Sequence, residues 1–302
     1  SEYIWMKEYL QLDGLVYKLV PIKTELSPIN PYLMGRIDSE TMYEIVKKWS
    51  WGNSNLPDIY HDPETRKNSI SFRSNMARLA EQLIEEKQLE RAAEVIDLAL
   101  EKMPVDFYGY YSLLVPFVDG YYKIGETEKA QQLVQKVADK YADRLTYFAS
   151  LDPNQQYGIG EEIITEIERY RTLIEAVLVH DDKQILEQML DQFMQTSRPF
   201  LFLYGEFDYY TELEEIMLGY YSAGNILKAR ILGRVISDVY QDRMALFSRF
   251  PQEGQLQIVQ RIKAGVMNYR AFLDDIKVND TITFYRPLDS LYQETIKDLI
   301  KE

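Results

Sequence analysis

The chain of 302 residues contains no cysteine. That excludes disulfides, thiolate metal sites and a cysteine nucleophile, and leaves the redox compartment open. Histidine is nearly as scarce, at two residues. Basic residues are in deficit, with 34 Lys and Arg against 48 Asp and Glu and a net charge of −14. A nucleic-acid binder needs a basic face to neutralise phosphates, and no Lys/Arg cluster supplies one. The same acidity argues against electrostatic docking on anionic lipid. No apolar run approaches the roughly 18 to 20 residues of a membrane span. The longest apolar-rich stretches, YYSLLVPFV (110–118) and LIEAVLV (173–179), have the length of core helices. No signal peptide follows Ser1, and we expect the chain to be a portion of a longer one. Phosphate-cradling loops are missing too: Gly158-Ile159-Gly160 lacks a third glycine and a preceding strand. No serine sits in a nucleophile elbow.

What is present is a hydrophobic fraction of 46%, enough for a real core, and 24 tyrosines. Tyrosine suits helix seams where the ring is buried and the hydroxyl reaches water. Two segments answer each other, GYYKIGETEKA (120–130) and GYYSAGNILKA (219–229). Each reads as an antiparallel helix pair seen at its turn. The second glycine ends the first helix, and the alanine opens the second where a close crossing wants a small side chain.

This pattern resembles the tetratricopeptide repeat, and three windows fit it. The first starts near Arg73 and uses Met76, Leu79, Ala80, Leu83, Ala92, Ile96, Ala99 and Pro104, with Lys87 in place of the turn glycine. The second starts near Tyr111, with Leu114, Phe117, Tyr121, Gly125, Ala130 and Val134. The third starts near Tyr210, with Leu213, Ile216, Tyr220, Gly224 and Ala229, but Gly233 falls where a large apolar residue is usual. The spacing leaves room for further helix pairs, and apolar periodicity predicts helices over 160–181 and 182–197. Later helices are predicted over 226–247, 254–276 and 288–301, and one over 39–49. The expected fold is therefore mainly α, built of tetratricopeptide-like antiparallel helix pairs, with a small strand-containing N-terminal region. We divide it into a mixed junction region at 1–70, helix pairs at 71–150, and a second helical lobe at 151–302 with a further pair near 210–242. The turn-rich SLDPNQQYGIG (150–160) is the expected hinge.

Strand signals are few: LVYKLVPI (15–22) and TITFYR (281–286). Both faces of the first are largely apolar. It should be covered by helices on one side, sheltered on the other, and paired either with TITFYR or with Tyr3 to Met6.

Candidate chemistry is sparse. His61 lies in DIYHDPE beside Asp58, Asp62 and Glu64, but Pro63 should break the local helix and His180 is far away. A polar turn explains it better than a metal site. His180-Asp181-Asp182 reads as a helix connection. The acid pairs Glu161-Glu162, Glu214-Glu215 and Asp274-Asp275 point about 100° apart on a helix and do not face one substrate. Solvated helix faces account for them. We therefore expect no catalytic residue, metal or cofactor. A helical array does offer a concave face lined by first-helix side chains. Here these are Glu81, Glu85, Asp119, Tyr122, Lys123, Glu214, Tyr221 and Ser222, placed to hold a protein or peptide partner.

The N-terminal third carries a resemblance. LQLDGLVYKLVPIKTE is followed by Gly35 to Asp38, Trp51 to Asn53, Ser71 to Asn75 and Met103-Pro104, and SLDP (150–153) comes later. This order is similar to the C-terminal soluble portion of bacterial multi-pass membrane proteins of the protein O-mannosyltransferase-like family, long recorded as a domain of unknown function. The resemblance implies that the opening strand joins membrane helices to a helical lobe, and that sugar-transfer residues belong to the membrane part. It implies a non-catalytic accessory domain on the periplasmic side of the membrane, with no insertion of its own. Its partner would be an acceptor protein or the membrane part of its parent chain. The alternatives are a free-standing tetratricopeptide scaffold and, last, a hydrolase using acidic residues.

Overall fold

The computed structural model describes residues 4–25, 34–203, 213–214, 217–218, 220–221, 224–280, 282–297 and 299. The fold is mainly α with a small three-stranded sheet near the N-terminus. The 3-10 segment Ile4–Tyr9 leads into β1 (Leu10–Asp13), which pairs antiparallel with β2 (Val16–Leu19) and parallel with β3 (Arg36–Ile37). The order β2-β1-β3 puts β1 in the centre, where Leu12 is fully buried.

The strand expected at 15–22 is therefore present, but its partner is the segment just before it. Gly14, at φ +67°, closes the hairpin in two residues, and a left-handed first turn position favours glycine. The alternative partners fail. Ile4–Tyr9 is 3-10 helical and residues 282–286 open a helix; Tyr3 and Thr281 lie outside the described residues. Nor do helices cover β2: all four of its residues are exposed, because it is an edge strand and β1 takes the buried place. Two side chains of the next long helix hold the hairpin. Asn75 Nδ2 donates to the Gly14 carbonyl at 2.8 Å, and Arg78 Nη1 donates to the Tyr17 hydroxyl at 2.9 Å.

Asp38 caps α1 (Ser39–Lys47), accepting from the Thr41 amide at 3.0 Å. Asp62 caps α2 (Pro63–Glu85) in the same way, accepting from the Glu64 and Thr65 amides. Pro63 thus opens a helix instead of breaking one, since the first helical position has no use for an N–H. His61 packs at a tilt on Tyr108, with ring centroids 4.7 Å apart, just ahead of that start. The chain reverses through Lys87, at φ +64°, into α3 (Leu89–Lys102), so a lysine adopts the backbone that a turn glycine usually supplies. The short α4 (Val105–Tyr108) follows, then α5 (Val115–Ile124), Gly125 at φ +88°, and α6 (Thr127–Ala149). Ala92 and Ala130 are both fully buried. Segment 150–160 holds the short α7 (Pro153–Gly158), locked by a capping box between Asp152 and Gln155, before α8 (Gly160–Val179) begins. Residues 180–182 join α8 to α9 (Lys183–Ser197). Further helices are α10 (Ile226–Ser248), α11 (Gln252–Gln257), α12 (Val259–Asn279) and α13 (Ile282–Ile296). The backbone groups into two compact units, Ser1–Thr146 with Thr165–Phe193, and Tyr147–Ile164 with Met194–Glu302.

The helices from α6 to α9 recur as α10 to α13. Their first residues are 127, 153, 160 and 183 in one set and 226, 252, 259 and 282 in the other, a constant offset of 99. Side-chain detail repeats at the same offset. Tyr141 stacks on Tyr170 at 5.6 Å, and Tyr170 meets Phe193 edge-on at 5.2 Å. Tyr240 stacks on Tyr269 at 4.9 Å, and Tyr269 meets Tyr292 edge-on at 5.1 Å. Gln156 Nε2 donates to the carbonyls of Ala149 and Leu151, as Gln255 Nε2 does to those of Ser248 and Phe250. The chain therefore carries an internal duplication. Where the first copy has Val134, the second has Gly233, and a Cβ there would lie 3.3 Å from the Phe284 ring. Phe284 belongs to the TITFYR segment, so this apolar residue fills the space that glycine leaves.

Candidate functional site

Five of the proposed concave-face residues fall in the first unit, and four of them line one groove of about 500 Å³. Glu81 and Glu85, one turn apart on α2, are exposed at its edge, and Lys87 follows them at the turn. Asp119 and Lys123, also one turn apart, come from α5. Between them the lining is apolar, with Ala77 and Ile84 of α2, Val115 and Pro116 of α5, and Val179 at the end of α8. Val179 is 79% exposed. Gly120 lets α5 approach α3 closely, since a Cβ there would meet Ile96 Cδ1 at 2.7 Å.

The charges are ordered. Asp119 bonds Lys123 Nζ at 2.6 Å and His180 Nε2 at 2.7 Å. The Asp119 contact raises the Lys123 pKa most, and the fields of Glu81 and Glu85 add to it. Tyr122 is not in the groove wall. Its ring stacks on His180 at 4.6 Å and its hydroxyl donates to Asp182 at 3.0 Å, so it fixes the histidine that holds Asp119. Burial raises the Tyr122 pKa first, and the Asp182 contact raises it further. Three carboxylates and two ammonium groups leave the groove acidic by one charge.

Glu214 and Tyr221 belong to the second unit and are tied into its interior. Tyr240 donates to Glu214 at 2.8 Å, and Tyr221 donates to Asp280 at 2.9 Å, where Arg230 also pairs bidentately. Ser222 lies outside the described residues.

Among the buried charges that escaped the sequence reading, two lie in the first unit. Arg73 is fully buried on α2 and donates to the carbonyls of Gly109 at 2.5 Å and Met103 at 2.8 Å. Burial lowers its pKa to about 10, which leaves it a cation. Glu166 is 1% exposed on α8. Each interrupts an apolar stripe at helical spacing, and that was the available signal: Ile163, Glu166, Ile167 and Tyr170 in one case, Ser69, Arg73, Met76 and Ala80 in the other.

Among the described residues no helix is long and apolar enough to cross a membrane. No curated protein and no solved structure matches the chain. Residues 1–41, which contain the whole sheet, match the model of a family described as TMEM260-associated domain 2.

Proposed function

We propose that the chain is a non-catalytic accessory domain of a membrane glycosyltransferase-like protein, and that it holds an acceptor or partner protein in the groove between α2, α5 and the end of α8. The observation that carries this reading is the groove: about 500 Å³, largely apolar along its lining, with Glu81 and Glu85 exposed at its edge. Its size falls in the range of binding pockets. A short peptide joining an apolar residue to Lys or Arg is complementary to it, since charge complementarity sets register and suppresses wrong partners.

Placement beside a membrane protein draws on the TMEM260-associated match at residues 1–41 and on the motifs that run on to Met103-Pro104 and Ser150 to Pro153. In the O-mannosyltransferase-like reading, sugar transfer belongs to the membrane part, and this domain presents the acceptor from the periplasmic side. A tetratricopeptide-like arrangement of the helix pairs suits the same use.

A peptide-display selection on the whole chain tests the proposal. Peptides combining apolar and basic residues should be enriched, and the Glu81→Lys/Glu85→Lys variant should lose them. No enrichment, or enrichment that survives the charge reversal, overturns the reading. The chain alone should also turn over neither chromogenic glycosides nor lipid-linked sugar donors. Turnover that persists through repurification and disappears when neighbouring carboxylates are replaced would put a hydrolase in its place.

A further inference from the structure

A second cavity, of about 280 Å³, lies in the first unit beside the loop that follows α4. Three guanidinium groups line it, from Arg66 on α2, Arg144 on α6 and Arg169 on α8, with one carboxylate, Glu166. Glu166 Oε1 is shared by Arg169 at 2.7 Å and Arg144 at 3.1 Å. Its Oε2 is buried with no partner, and so is the hydroxyl of Tyr141, which lines the same cavity and is fully buried. The Arg66 guanidinium makes no ion pair or hydrogen bond among the described residues. Three cations therefore meet one anion, in a chain whose net charge is −14. Buried polar atoms are normally paired, and unpaired ones call for an explanation.

The duplication provides an internal comparison. At the 99-residue offset, Glu166 and Arg169 correspond to Gly265 and Asn268, and Tyr141 corresponds to Tyr240. The stacked tyrosine pair is present in both copies. In the second copy the Tyr240 hydroxyl is satisfied by Glu214, whereas Val115 occupies the equivalent position in the first. The helical frame thus stands without the buried carboxylate and without Arg169, although Arg144 has its counterpart in Arg243, so packing alone does not account for the Glu166–Arg169 pair. The cavity wall is also specially built. Gly109 and Tyr110 both have positive φ, +66° and +48°, and the buried Arg73 holds that loop by the Gly109 and Met103 carbonyls. Arg73 is a positioning residue for the wall.

We infer that this cavity binds a small oxyanion, a carboxylate or a phosphate, that carries a hydroxyl or amine beside its charge. Guanidinium groups match oxyanions in geometry and charge, and Arg66 and Arg169 hold the ligand's oxygens. The Tyr141 hydroxyl donates to the same group. The ligand's own O–H or N–H donates to Glu166 Oε2, which excludes plain anions that lack a donor. The volume suits a small molecule and not a polymer segment.

Isothermal titration of the whole chain at low ionic strength, where screening is weak, tests the assignment. The probes are malate, glycerol 3-phosphate, acetate and neutral glycerol. Malate or glycerol 3-phosphate should bind saturably, and which of the two is tighter identifies the oxyanion. Acetate should bind at least tenfold more weakly, and glycerol should not bind. Arg66→Gln should weaken binding at least tenfold with an unchanged circular dichroism spectrum, because its guanidinium makes no bond among the described residues. Tyr141→Phe should weaken it as well. Arg243→Gln, the counterpart of Arg144 in the second copy, should leave it unchanged. The proposal is overturned if no anion binds saturably, if glycerol binds as well as the anions, or if Arg66→Gln binds like the parent.

Discussion

Gly35 is the position where a single methyl group should do the most damage to the N-terminal sheet. It precedes β3 with φ +70°, and a Cβ there would sit 2.3 Å from the Leu10 carbonyl oxygen and 2.6 Å from its carbon. These are backbone atoms of β1, so no rotamer change relieves the contact. Gly35→Ala carries two penalties. Holding a non-glycine residue in the left-handed region costs about 1–2 kcal/mol. Moving β3 away from β1 breaks the pairing of Gln11 with Arg36 and Leu12 with Ile37, at about 0.5–1.5 kcal/mol per hydrogen bond. Together they amount to about 2–5 kcal/mol. Gly52 separates the two effects, because it has φ +55° and open space around it. Gly52→Ala should show the strain alone, about 1–2 kcal/mol. Tryptophan fluorescence during urea unfolding reads this region selectively, since Trp5, Trp49 and Trp51 are the chain's three tryptophans. Trp49 and Trp51 both pack on Phe72, at 5.0 and 5.3 Å. If the two alanine variants unfold at the same urea concentration, the close approach of β3 to β1 is refuted.

Two further outcomes follow from the interior of each copy. Ala130→Leu forces a larger side chain into a fully buried site on α6, and overpacking of this kind costs about 1–3 kcal/mol; a thermal melt identical to the parent's would exclude a tight crossing there. Burial pushes the Glu214 carboxyl up to about 7, the bond from Tyr240 opposes this, and the Asp275 charge adds to it. An acid raised in the folded state contributes stability that is complete below its unfolded value of about 4.5 and is lost as pH rises towards 7. Glu214→Gln should therefore gain on the parent between pH 4.5 and 7 and be the more stable of the two at pH 8; melting temperatures whose difference does not change with pH would contradict this.

Local signals were legible where they depend only on neighbouring residues. The left-handed turn glycine at 125 and the buried alanines at 92 and 130 follow from short-range chemistry and helical periodicity. The groove residues Glu81, Glu85, Asp119 and Lys123 were legible for the same reason, because a four-residue spacing places each pair on one helix face. Glu214 and Tyr221 show the limit of that reasoning, since a helix face does not say what will pack on it. Their neighbours across space, Tyr240 and Asp280, turn them inward.

Composition and short-range pattern were enough to make the chain helical, cysteine-free and acidic, to place a strand signal at 15–22, and to set two Gly-Tyr-Tyr turns 99 residues apart. These properties are set by composition and by contacts within a few residues. Which segments became each other's environment was settled by packing between residues far apart in the chain. The apolar stretch after Gly14 became the exposed edge because Leu10 to Asp13 took the centre of the sheet. Residues 282–286, β-branched and aromatic, became helical because Phe284 packs against the gap at Gly233, and packing at that seam outweighs a strand propensity worth no more than about 1 kcal/mol.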